Sequence, residues 1–158
     1  MCGKMAAGKS TLAKSLAARE RAILLVQDDW LARLYGDEVT DLAAFVRYST
    51  RIQSVVAPLV CQLLAHGHNV VLDFPANTRK QRVWFRSLLD HSGGAHRLHY
   101  VVASDALCKR QLAQRSAALG LPPGSKWTTE ADFDEVTAYF EPPASDEGFE
   151  VVRYERDG

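Results

Sequence analysis

No sign of charge prevails in this chain: nineteen lysines and arginines meet nineteen aspartates and glutamates across 158 residues. The broad positive field behind non-specific nucleic-acid binding is therefore missing, although a local basic groove fits a neutral total. Cysteine is scarce as well. Cys2, Cys61 and Cys108 stand far apart, without CxxC or Cys/His ligand spacing, which argues against a disulfide scaffold or a zinc site and points to reduced thiols in a cytoplasmic protein. No run of 18 or more apolar residues and no signal-peptide pattern occurs, so neither export nor a membrane span is expected. Internal repeats and low-complexity tracts are missing too. The histidines (His66, His68, His91, His96, His99) lack partners at metal-ligand spacing.

What the sequence does contain is alternation. With 47% apolar residues the chain fits one compact domain over residues 1–158, burying roughly 70% of its unfolded surface. Short apolar runs at 22–26, 69–74, 97–103 and 149–154 read as strands covered on both faces. Between them lie helical patterns: about 9–20, a long stripe from Asp41 that Pro58 should kink and Gly67 should end, a helix capped by Thr78 with Val83 and Leu88 inward, and one from Ser104 to Gly120. A Pro/Gly loop, "LPPGSKWT", precedes a short helix within 129–140. Strand and helix in alternation imply an α/β fold whose parallel sheet binds ligands at the carboxyl ends of its strands.

The most specific signal opens the chain. In "MCGKMAAGKST", Gly3, Gly8, Lys9 and Ser10 satisfy GxxxxGK[ST], directly ahead of an amphipathic helix. Such glycines let backbone N–H groups over Gly3, Lys4, Met5, Ala6, Ala7, Gly8, Lys9, Ser10 and Thr11 converge on phosphate oxygens at a helix N-terminus. Lys9 would span the β- and γ-phosphates of ATP, Ser10 would ligate Mg²⁺, and Thr11 would meet the α-phosphate. Only Met1 and Cys2 precede the motif. The strand that normally leads into it is expected to be truncated, either because residues are missing upstream or because the sheet has a gap beside the third strand.

Three further features sit where a phosphate-transfer site would need them. "VQDDW" places Asp28 and Asp29 at a strand end, where one can be a general base for a hydroxyl or, alternatively, the start of a helix. "VVLDFPAN" ends a strand on Asp73, suited to the water shell of Mg²⁺ or to an Asx-turn before Pro75. Arg110 and Arg115 precede the Pro/Gly loop, as part of a lid around 108–128 or as a solvated basic face. Trp30, beside the acids, could line a substrate pocket, with Trp84 and Trp127 as core or cleft wall.

In this order of motifs the chain resembles a small P-loop kinase of the predicted-kinase or AAA-type ATP-binding group, related to polynucleotide 5′-hydroxyl kinases, chloramphenicol phosphotransferase and zeta toxins. The resemblance implies a five-strand parallel sheet in the order 2-3-1-4-5 and ATP/Mg²⁺-dependent phosphorylation of a hydroxyl. By position, Asp28 matches the relatives' catalytic base, Arg115 a lid arginine, and "DFPANTRKQR" a D…N…R segment that supports substrate and metal. Leu31 stands where polynucleotide kinases often carry the arginine of DDxR. The leading expectation is thus a small-molecule kinase with no membrane or nucleic-acid partner and an open oligomeric state. The alternatives are a nucleotide-binding switch or docking module, and a polynucleotide 5′-hydroxyl kinase.

Overall fold

The computed structural model describes residues 1–122 and 125–156; Pro123 and Gly124 of the expected lid loop lie outside them. The chain clusters into two compact units, the first made of Met1–Lys9, Pro75–Val83 and His96–Gly158, the second of Ser10–Phe74 and Trp84–Ala95.

The second unit is built on two parallel strands, β1 (Ile23–Val26) and β2 (Val70–Asp73), in register from Ile23 beside Val70 to Val26 beside Asp73. Helix α1 (Lys9–Arg19) precedes β1, and α2 (Gln27–Tyr35) follows it without an intervening loop. The long helix α3 (Leu42–Ala65) starts where the Asp41 carboxylate accepts the Ala44 N–H at 2.7 Å, meeting a donor that the first turn cannot satisfy internally. It runs through Pro58 as one helix and stops at Gly67, whose φ of +78° needs glycine. Its buried residues recur every fourth position: Ala44, Tyr48, Ile52, Val56 and Val60 form a core with Leu31, Phe74 and Leu88. Trp30 and Trp84 pack against that core, Trp84 stacked on Phe74 with centroids 5.6 Å apart.

The first unit pairs β3 (Leu98–Ala103) with β4 (Val151–Arg156), again parallel, from Leu98 beside Val151 to Ala103 beside Arg156. Cys2 adds a rung on the other side of β3, donating its N–H to His99 O at 2.8 Å and accepting from Val101 N–H at 2.9 Å. The residues ahead of the glycine loop therefore do occupy a ladder position beside β3. The strands observed side by side are thus β1 with β2 in one unit and β3 with β4 in the other, the Cys2 bridge lying beside β3. Helix α5 (Asp105–Ala118) is capped by Ser104, and α6 (Glu130–Thr137) by a reciprocal Thr129/Asp132 box.

Helix α4 (Arg79–Ser92) corrects one expectation. Thr78 caps it, accepting from Gln81 N–H at 3.1 Å while Gln81 Oε1 accepts from Thr78 and Asn77 N–H. Leu88 is buried as expected, but Val83 is 64% exposed, and the inward place beside it belongs to Arg82, 1% exposed. Arg82 is buried because its donors are all engaged: Nε and Nη2 donate to the Glu147 carboxylate at 2.6 and 2.9 Å, and Nη1 to the carbonyls of Ala76 and Glu141. A buried cation is tolerated on those terms.

Candidate phosphate and acceptor site

In the first unit, the glycine loop has the backbone that its sequence demands. Gly3, Ala6 and Gly8 take φ values of +142°, +56° and +97°, which turn successive peptide groups in the manner of an anion-binding nest. At Gly3 a side chain has no room, because a Cβ there would lie 2.6 Å from the carbonyl oxygen of Val101 in β3. Asn77 fixes the same residue from the other side, its Oδ1 accepting the Gly3 N–H at 2.9 Å. Replacing Gly3 by alanine is therefore expected to cost about 3 kcal/mol, from backbone strain and the clash together. A thermal melt of Gly3→Ala checks it, and an unchanged midpoint would mean that the loop can move off β3.

Lys9 bends back over the loop, donating to the carbonyls of Gly3 at 2.7 Å and Lys4 at 2.6 Å. The Lys4 ammonium pairs with Asp105 in the first turn of α5, so its backbone, not its charge, faces the loop's task. Ser10 and Thr11 are exposed in the first turn of α1, and no acidic residue stands in that turn to offset the dipole. The loop thus offers a helix start, glycine-permitted turns and a nearby ammonium, which is the set a polyphosphate requires.

One cation in this cradle escapes any motif. Arg156, at the end of β4, donates through Nη1 to Ala7 O at 2.9 Å and to Gln111 Oε1 at 3.3 Å. A Cβ on Gly8 would meet that same nitrogen at 2.1 Å. The available signal was its place at the carboxyl end of a strand, but the sequence reading closed that strand at Tyr154. The arginines of the "DFPANTRKQR" segment have structural partners: Arg82 binds Glu147, and exposed Arg79 binds Asp146.

In the second unit, the β1–β2 register sets Asp73 beside Val26, so Asp73 and the Gln27-Asp28-Asp29 sequence emerge from the same end of the paired strands. Asp28 and Asp29 are exposed in the first turn of α2, and Val26 supplies no side-chain cap. The strand end is thus also a helix start, whose dipole favours the two carboxylates. Gln27 is fully buried, its Nε2 donating to Ser49 Oγ of α3 at 3.1 Å. Its Oε1 has no hydrogen-bond partner among the described residues. Ser10 belongs to this unit together with Asp28 and Asp73, and hydroxyl and carboxylate oxygens are the donors that Mg²⁺ takes.

Arg110 and Arg115 are both exposed on α5, Arg115 donating to the carbonyl of Trp127 at 3.5 Å. Five residues apart, they diverge by about 140° around the helix. The structure thus brings the loop residues together with Asn77 and Arg156 in one unit, and Asp28 with Asp73 in the other. No group of three or more His, Cys, Asp or Glu suited to a metal occurs among the described residues. No helix among them is long and apolar enough to cross a membrane.

None of the curated proteins compared matches the chain. Among solved structures, one from Chloroflexus aurantiacus J-10-fl, described as a "putative kinase", is similar with a TM-score of 0.69 at 18% identity. The match covers 95% of this chain and 79% of that one, a likeness of fold. A family model described as an AAA domain matches residues 1–143, nearly the whole chain. With its glycine loop, parallel α/β layout and matched extent, the chain belongs to this AAA-domain family of P-loop nucleotide-binding proteins.

Proposed function

We propose that the protein is a kinase that transfers the γ-phosphate of ATP to a hydroxyl group of a small molecule. The observation that supports this most is the second unit's pair of carboxylates, Asp28 and Asp73, at one end of adjacent parallel strands. A protein that only held nucleotide would need the loop and not a second acid beyond a metal-side one. In this reading the loop N–H groups and Lys9 bind the β- and γ-phosphates, and Ser10 with Asp73 holds Mg²⁺, which neutralises phosphate charge when bound. Asp28 accepts the proton of the attacking hydroxyl. Arg115, with Arg110 and Arg156 as further cations, offsets charge on the transferring group. The protein works in the cytoplasm.

The binding half of the proposal has a direct test. Lys9→Ala removes charge-assisted hydrogen bonds to phosphate, so Mg·ATP should bind about 10- to 100-fold more weakly in titration calorimetry. Equal affinities would take the loop out of the reading.

A further inference from the structure

Helix α3 carries two guanidinium groups whose arrangement the fold does not explain. Arg47 and Arg51 sit one turn apart, both exposed, with Cζ atoms 4.9 and 5.4 Å from the centroid of the same ring, that of Tyr48. Their separation cannot exceed the sum of those two distances. Like charges at this helical spacing repel, and neither guanidinium has a carboxylate partner among the described residues. Six other arginines (Arg19, Arg79, Arg82, Arg86, Arg97 and Arg153) each pair with a carboxylate.

The platform beneath the pair is rigid. Tyr48 is 6% exposed, Tyr35 stacks on its ring with centroids 4.2 Å apart, and its hydroxyl donates to Glu38. That carboxylate is engaged by the phenol. The next residue of α3, Ser49, takes the hydrogen bond from Gln27, the neighbour of Asp28. The same turn of helix therefore fastens to the strand end bearing the proposed base and displays two cations that form no ion pair among the described residues.

We infer that Arg47 and Arg51 bind an oxyacid group, a carboxylate or a phosphate, on the hydroxyl compound that the kinase phosphorylates. Two forked guanidinia on one aromatic support suit planar or tetrahedral oxygens better than a neutral sugar or alcohol. An anion between them would also relieve their mutual repulsion. The word "acceptor" rests on the phosphotransfer reading; the anion site itself does not.

Arginine Nε–Hε signals of the full chain report on the site directly, assigned through Arg47→Gln and Arg51→Gln and followed with the P-loop saturated by Mg·AMP-PNP. Titration with inorganic phosphate in one arm and acetate in another should shift both signals together and saturably at constant ionic strength. The arm that saturates first tells phosphate from carboxylate. Either substitution should weaken that binding at least 10-fold while leaving AMP-PNP affinity unchanged. Shifts that follow ionic strength alone, or an anion affinity indifferent to both substitutions, would overturn the inference. So would a short oligonucleotide that binds through these signals far more tightly than phosphate. Anion binding without phosphate transfer from ATP would retain the site and remove the kinase reading.

Discussion

Replacing Arg82 by methionine is expected to destabilise the native protein by about 3 to 5 kcal/mol, the usual cost of stranding one member of a buried ion pair. Glu147 would be left almost covered, its side chain 5% exposed, and the carbonyls of Ala76 and Glu141 would lose their donors. Against a total stability of roughly 5 to 15 kcal/mol, such a loss takes a large share. The midpoint of thermal unfolding should fall by roughly 10 °C or more. Removing both charges in Arg82→Met/Glu147→Leu should recover part of the loss, because no charge then remains buried. A double variant no better than the single one would show that the carbonyl contacts, not the carboxylate, make Arg82 necessary.

The same pair fixes the sign of an acid effect. The hydrogen bonds from Arg82 hold the Glu147 carboxyl below its ordinary value of 4.5, with burial acting in the opposite direction and the Ala144 N–H assisting. A group whose pKa is depressed on folding stabilises the native state in full above its unfolded pKa. This contribution should therefore fade as pH falls from about 4.5 and vanish once pH passes below the folded value. Glu147→Gln should flatten that limb of the stability profile, and a profile as steep as wild type would assign the acid sensitivity to other carboxylates.

Asp28→Asn is the second change with a large expected effect, here on chemistry rather than stability. The side chain is exposed in the first turn of α2, so the substitution should leave the melt within about 0.5 kcal/mol of wild type. Loss of a positioned general base should lower phosphate transfer by about 10²- to 10⁴-fold with Mg·ATP affinity preserved. Asp29→Asn, in the same turn, is expected to be mild. If the two effects were exchanged, the base would be Asp29. If neither substitution mattered to transfer, the protein would fit a nucleotide-dependent switch better than a kinase.

The parts legible in the sequence were those set by local backbone chemistry. The glycine loop, the strand ends carrying Asp28 and Asp73, and the caps at Ser104 and Thr78 all follow from residue type and immediate neighbours. Helix faces were harder. The apolar residues of α3 encircle much of the helix, among them Val46, Val55 and Leu59, which are 47%, 68% and 39% exposed. The face actually buried runs along Ala44, Tyr48, Ile52, Val56 and Val60, two of them too small or too polar to weigh in a hydrophobic count. Arg82 was missed for a related reason, since a buried arginine depends on a carboxylate 65 residues away. Arg156 and Asn77 likewise meet the loop only through long-range contacts.

The kinase claim is tested most directly by incubating the protein with Mg·ATP carrying ¹⁸O on the γ-phosphate and an extract of small metabolites, then analysing the products by mass spectrometry. The account expects the label in a hydroxyl compound bearing a carboxylate or phosphate, abolished by Lys9→Ala and by Asp28→Asn. Intact ATP binding with the label found in no compound, or only in inorganic phosphate, would contradict it.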